Sequence, residues 1–107
     1  MKTLIIATVA VASLAGAAQA EVSDRQYLEA ARCRALAVSD NLGRLDTTAI
    51  DELLRNEGST RTLAVKASAM NKMNGAAKDA AAADGEKKAK LLAEREGACG
   101  AYLGGAK

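Results

Sequence analysis

The hydrophobic positions of this chain follow two different patterns. Leu4 to Leu14 is an apolar run broken only by Thr8 and Ser13, whereas from Glu21 onward apolar residues recur at intervals of three and four. A continuous run suits insertion into a membrane, and the three-four spacing is typical of amphipathic helices in water. The pattern therefore predicts a leader, 1–20, followed by one small helical domain, 21–107.

The leader has the three parts of a secretory signal peptide. Lys2 supplies the positive charge, the apolar run follows, and Ala18 and Ala20 give the small-x-small pattern that a signal peptidase accepts. Cleavage is expected before Glu21, and the leader is expected to be a helix until then. The domain would then lie in the periplasm or be secreted.

A membrane anchor is the alternative interpretation of the same segment. The run ends by Ala18, short of the ~20 apolar residues that a spanning helix needs, and basic stop-transfer residues do not follow it. Glu21 stands where a lipoprotein would carry a cysteine. No stable membrane anchor is therefore expected after cleavage.

The first two predicted helices each begin at a capping-box pattern. Ser23 with Gln26 starts a helix from about Asp24 to Val38 or Ser39, and Thr48 with Asp51 starts a shorter one. We expect Gly58 to end the second helix in the left-handed conformation. The apolar positions of these two helices are Tyr27, Leu28, Ala31, Ala35, Val38, Ile50, Leu53 and Leu54.

A third helix is predicted after Ser59 or Thr60, either of which can cap it. Leu63, Ala67 and Met70 lie on one side of it and are expected to face the core, with a stop at Asn74 and Gly75. Residues 76–83 have high helix propensity but little side-chain bulk, so they either extend this helix or form a separate turn.

The last predicted helix runs from about Asp84 or Gly85 to Leu103. Leu92, Cys99 and Leu103 share one face, and Gly104 begins a flexible tail. The fold class is therefore all-α, a bundle of three to four short helices.

Two cysteines, Cys33 and Cys99, lie 66 residues apart in the predicted mature chain. In an oxidising compartment such a pair most often forms a disulfide, worth roughly 4 kcal/mol for a loop of this length. It would join the first and last helices. Redox or metal function is the alternative, but the chain lacks a Cys-x-x-Cys pair and any histidine.

The glycines near Cys99 suggest how the two helices meet. Gly97 and Gly100 would permit close approach at the disulfide, and Tyr27 and Tyr102 would border the same junction. The alternative is that the glycines only fray the C-terminal helix.

Composition predicts a thin core and argues against nucleic acid as a partner. From Glu21 onward there are fourteen Leu, Ile and Val, two Tyr, no Phe or Trp, and nineteen Ala. Fourteen basic residues nearly balance thirteen acidic ones, so nucleic acid is not an expected partner. The scarcity of large apolar residues leaves partial disorder open, although the low net charge argues against it.

The remaining charged and sulfur-containing motifs have structural explanations. Lys87, Lys88 and Lys90 form a basic run, but Lys90 is four residues from both Glu86 and Glu94, the spacing of ion pairs on a solvated helix face. Arg25, Arg32 and Arg34 are interpreted as surface residues. Met70 and Met73 could offer two thioethers to Cu(I), but core filling is the preferred interpretation.

Catalysis is not expected. The chain has no histidine, no Gly-x-Ser-x-Gly segment, no phosphate-binding glycine loop and no zinc-ligand cluster. We therefore expect no enzyme activity, no cofactor and no metal.

Two function classes remain, each with a faint family resemblance. Cys99 followed by two small residues, Tyr102, Leu103 and Gly105 resembles a segment of secretion-system immunity proteins of the Tai type, over fewer than ten residues. In outline, a small exported helical chain with one disulfide is similar to acid chaperones of the HdeA type, without a shared motif. The first class is a non-catalytic protein-interaction module, such as an inhibitor, immunity protein or accessory subunit, that binds another periplasmic protein. The second is a periplasmic stress chaperone.

Overall fold

A computed structural model describes residues 22–103, which form five α-helices. These are α1 (Asp24–Ala37), α2 (Thr48–Gly58), α3 (Leu63–Ala82), α4 (Gly85–Glu96) and α5 (Gly100–Leu103). The all-α class is confirmed for this range, with five helices instead of three or four. The predicted signal helix, its cleavage site at Ala18, Ala20 and Glu21, and the predicted tail lie outside the described residues.

Helix α1 begins and ends almost where the sequence predicts. Ser23 Oγ accepts a hydrogen bond from the Gln26 N–H at 3.1 Å, and the Ser23 N–H donates to Gln26 Oε1 at 2.9 Å, so the capping box is complete. The helix ends at Ala37, where the Val38 N–H donates to Arg34 O.

Helix α1 is the centre of the bundle. It packs chiefly against α3 and also contacts α2, α4 and α5. Seven of its residues are buried, and most are small: Tyr27, Ala30, Ala31, Cys33, Ala35, Leu36 and Ala37. Small side chains on several faces allow neighbouring helices to surround α1, which explains why its apolar residues do not form one narrow stripe.

The predicted caps of α2 are wrong at both ends. Its N-cap is Thr47, and the side chain that accepts from the Thr48 N–H belongs to Asp46, at 3.0 Å. Hydrogen bonds from Thr48 lower the pKa of Asp46. Gly58 is the last helical residue and is not left-handed, since among the described glycines only Gly43 and Gly85 have positive φ.

Helix α3 starts later and ends later than predicted. The Thr62 side chain caps it by accepting from the Val65 N–H at 3.2 Å, whereas Ser59 and Thr60 donate to carbonyls of the preceding turn. The helix continues through Asn74 and Gly75 to Ala82. The alanine-rich segment therefore extends the third helix, in line with its high helix propensity.

The predicted last helix is divided into α4 and α5. The helical bonds of α4 end at Glu96, and the Cys99 N–H donates to Glu94 O at 3.1 Å, a bond that closes a helix end. Cys99 therefore lies in the turn between two helices. The disulfide joins α1 to this turn and not to the middle of a C-terminal helix.

The buried residues form two clusters around α1. The larger one contains the fully buried Leu36, Ile50 and Cys99, and the smaller one contains Tyr27, Ala31 and Ala69. Both lie against the inner face of α3, whose buried residues are the alanines Ala69, Ala76 and Ala80.

Candidate interaction surface

The predicted disulfide is present. Cys33 and Cys99 are joined, with their Cα atoms 5.5 Å apart, and both are buried. No cysteine in the described residues is free. A buried, oxidised pair has no thiolate to offer, so this site holds the fold together.

The glycines beside the disulfide do not serve close helix packing. A Cβ built on Gly97 would meet only the Ala93 carbonyl oxygen of its own helix, at 3.3 Å, and one on Gly100 would meet nothing within 4 Å. The prediction of close approach at these glycines is wrong. Gly97 instead lies where α4 ends.

The two tyrosines lie in different places. Tyr102 is half-buried and its hydroxyl donates to Glu29 Oε1 of α1 at 2.9 Å; burial, and then this hydrogen bond, raise the pKa of the tyrosine. Tyr27 belongs to the smaller cluster, beside Gly58 and beneath Arg61. The tyrosines therefore do not border one junction, as the sequence had suggested.

Two arginines that the sequence assigned to the surface join helices. Arg32 makes a bidentate contact with Glu94 of α4, at 2.6 and 2.9 Å, and Arg34 Nε donates to Asp51 of α2 at 2.6 Å. The hydrogen bonds from these guanidinium groups lower the pKa of Glu94 and of Asp51. Arg25, by contrast, is exposed, and its one ion pair within residues 22–103 is with Glu29 on its own helix.

Arg95 is a buried cation that the sequence gave no reason to single out. It is 8% exposed, and its guanidinium donates to the carbonyl oxygens of Leu36, Leu42 and Gly43 at 3.1, 2.9 and 2.6 Å. Burial lowers its pKa. Its role is to bind the end of α1 and the loop after it, and nothing in the local sequence marks a lysine or arginine for that task.

Arg61 organises the other end of α1. Its guanidinium donates to Asp24, to Glu57 and to the carbonyl oxygen of Val22, all within 2.7 Å, and it lies 5.5 Å from the centre of the Tyr27 ring. The two carboxylates raise the pKa of Arg61. These contacts hold the start of the described chain against the loop between α2 and α3.

The lysines of the described range form no ion pairs, in contrast to several of the arginines. Every ion pair found in residues 22–103 uses an arginine. The predicted pairs of Lys90 with Glu86 and Glu94 are not formed there, since Glu94 binds Arg32 instead. The lysines of α3, Lys66, Lys72 and Lys78, are exposed.

The face of α3 that the sequence assigned to the core is on the surface. Leu63 is 82% exposed, Met70 is 57% exposed, and Ala67 between them is exposed as well. Met73, three residues after Met70, lies on a different face of the helix and packs against the core. The two methionine sulfurs thus have different surroundings, which fits core filling for Met73 only.

This exposed face continues along the whole helix at a regular spacing. Its positions alternate four and three residues apart, the spacing by which one helix packs against another in a coiled coil. All of them are exposed, and we call them the α3 seam: Leu63, Ala67, Met70, Asn74, Ala77 and Ala81.

The described residues contain neither a cluster of metal ligands nor a membrane-spanning helix. No group of three or more Cys, Asp and Glu side chains within residues 22–103 lies close enough to hold a metal ion. None of the five helices is both long and apolar enough to cross a bilayer.

Comparison with known proteins identifies no relative of this chain. No protein-family model matches the chain, and neither a curated protein nor a solved structure gives a significant match. The α3 seam is therefore the candidate functional site on the grounds of its geometry alone.

Proposed function

We propose that this protein is an exported, non-catalytic protein-interaction module whose contact surface is the α3 seam. The observation that carries the proposal is the exposure of Leu63 and Met70 on one face of α3, the longest helix of residues 22–103, in a chain with few large apolar residues. Burying a leucine raises the free energy of unfolding by about 1.5–3 kcal/mol, so a chain with a thin core is expected to bury each one. The exposure of Leu63 and Met70 to water, at the spacing of a coiled-coil seam, therefore favours a role in binding.

The test compares capture of partners by matched variants. The chain is expressed from Met1 with a C-terminal tag in its native host, and proteins cross-linked to it at neutral pH are identified. We expect one stoichiometric partner that is lost when Leu63→Gln and Met70→Gln are combined. Leu45→Gln is the control, because Leu45 is also exposed, at 45%, but lies in the loop before α2. Equal recovery by all three proteins, or no partner at all, would refute the proposal.

The acid chaperone is the second candidate, and the ion pairs between helices favour it. Glu94 and Asp51 fasten α4 and α2 to α1, and because the pKa of both groups is lowered, they protonate at a lower pH than ordinary carboxyl groups. Acid would then release both helices and expose the alanine-lined core, as in partly folded acid states. A broad set of clients recovered in acid only, independent of Leu63 and Met70, would support this class.

A further inference from the structure

Resting on the function proposed above, we propose that the occupant of the α3 seam is an acidic amphipathic helix of another protein. The charges beside the seam, the size of its side chains and the polar residue at its centre favour this occupant over a second copy of the chain and over a lipid surface.

The charges beside the seam are basic and unneutralised. In heptad terms the seam residues occupy positions a and d, so Lys66 falls at g and Lys78 at e, the positions that meet charges on a paired helix. Both lysines are exposed, and no ion pair in residues 22–103 involves them. A helix with carboxylates at its own e and g positions would complement them.

A second copy of this chain lacks those carboxylates. The one acidic residue of α3 is Asp79, which falls at position f, away from the seam. Pairing two seams would bring two lysines from each copy to the interface and no acid from α3. Charge complementarity therefore favours a different chain.

The seam is also too poor in large apolar groups for a lipid surface. Amphipathic helices that lie in membranes insert several Leu, Phe or Trp side chains. Here only Leu63 and Met70 are large, and three of the other four positions are alanine. Alanines let a second helix approach closely, and the large side chains would then come from the partner.

Asn74 gives the seam a polar centre. It occupies an a position near the middle of the helix, and a single buried asparagine there fixes the register of two paired helices. A helix of 20 residues is about 30 Å long, so the partner segment would span three heptads.

The test uses two helical peptides that differ only in charge. Both carry leucine at a and d over three heptads, with one asparagine at a central a position; the first has glutamate at e and g, the second lysine. Neither peptide pairs well with itself, because its like charges repel. Binding of fluorescently labelled peptide to the oxidised chain, expressed from Met1, is measured by anisotropy at low salt.

We expect the glutamate peptide to bind at least about tenfold more tightly than the lysine peptide, which corresponds to 1.4 kcal/mol. Combining Lys66→Glu with Lys78→Glu should reverse the preference. Leu63→Gln with Met70→Gln should abolish binding, whereas Leu45→Gln should not change it. Lys87→Glu with Lys90→Glu is the charge control, since these lysines lie on α4, and it should keep the preference.

Each alternative occupant gives a different result. Equal binding of both peptides that depends on Leu63 and Met70 would keep the binding module and refute the acidic partner. A dimer in sedimentation that Leu63→Gln and Met70→Gln dissolve would identify a second copy instead. Binding to phosphatidylglycerol vesicles but to neither peptide would identify a lipid surface. Absence of all binding would refute the inference, while the cross-linking test decides the proposed function separately.

Discussion

Glycine has opposite effects at two helical positions of this chain. Gly75 lies in the middle of α3, and a Cβ placed there would have no neighbour within 4 Å. Gly58 ends α2, and a Cβ there would lie 2.9 Å from the Tyr27 hydroxyl oxygen. The first glycine therefore only weakens its helix, whereas the second makes room for a buried tyrosine.

The two glycines predict opposite changes in stability. Gly75→Ala should raise the free energy of unfolding by about 0.5–1 kcal/mol, because alanine favours the helix. Gly58→Ala should lower it by roughly 1 kcal/mol, since Tyr27 is held between the new methyl group and Arg61 and displacement costs more than helix propensity gains. Urea denaturation measures both. The same sign for both variants would contradict this account.

Arg95 illustrates a second residue-scale effect, the satisfaction of buried carbonyl groups. Arg95→Met should lower the free energy of unfolding by about 2–3 kcal/mol, because three carbonyl oxygens would lose their donor. Arg55→Met, on an exposed residue, should change it by less than about 0.5 kcal/mol. Thermal melts of the two variants give the comparison, and equal melting temperatures would show that Arg95 is dispensable.

At the scale of elements, the C-terminal helices are fastened to α1 by the hydrogen bond from the Arg95 guanidinium to Leu36 O and by three further bonds. The disulfide holds the turn before α5, the Arg32–Glu94 pair holds α4, and the hydrogen bond between Tyr102 and Glu29 holds α5. The covalent bond does not respond to pH, whereas the ion pair does. Acid should therefore loosen α4 while leaving its end attached.

The pH dependence follows from the sign of the pKa shift at Glu94. Its pKa is lowered in the folded state, so the pair contributes stability above the ordinary carboxyl pKa of about 4 and loses it as pH falls through the lower folded value. Glu94→Gln should cost about 1 kcal/mol at neutral pH, because the pair is partly exposed, and should flatten the loss of stability below pH about 4.

Glu52→Gln is the matched control for that variant. Glu52 is exposed and forms no ion pair in residues 22–103, so its removal should leave the pH profile unchanged. Denaturant titrations at several pH values between neutral and strongly acidic solution measure both variants. A Glu94→Gln profile parallel to that of the unmodified protein would rule out this ion pair as the acid-sensitive contact.

At the scale of the whole molecule, the predicted leader and the disulfide are linked. A signal peptide would deliver the chain to an oxidising compartment, where Cys33 and Cys99 can form the bond that the fold contains. We predict that protein recovered after expression from Met1 has an intact mass that begins at Glu21 and lacks two hydrogens. A mass that retains Met1, or that carries both thiols, would contradict the predicted leader or its link to the disulfide.

The sequence by itself determined the local features of this protein. The Ser23 capping box, the start of α1 and the all-helical class follow from neighbouring residues, and the cysteine pair needed only the assumption of an oxidising compartment. These features depend on interactions within a few positions of the chain or on a count of cysteines. They required no knowledge of which helices meet.

Only the tertiary structure decided which face of each helix is buried. Leu63, Ala67 and Met70 were predicted to face the core, yet α1 packs on a different face of α3, where the buried alanines lie with Val65 and Met73 beside them. Both faces of α3 carry apolar residues, so the choice between them depended on how the whole bundle packs and not on the sequence of α3 alone. The same long-range packing paired Arg32 with Glu94 and buried Arg95, and it left exposed the seam on which the proposed function rests.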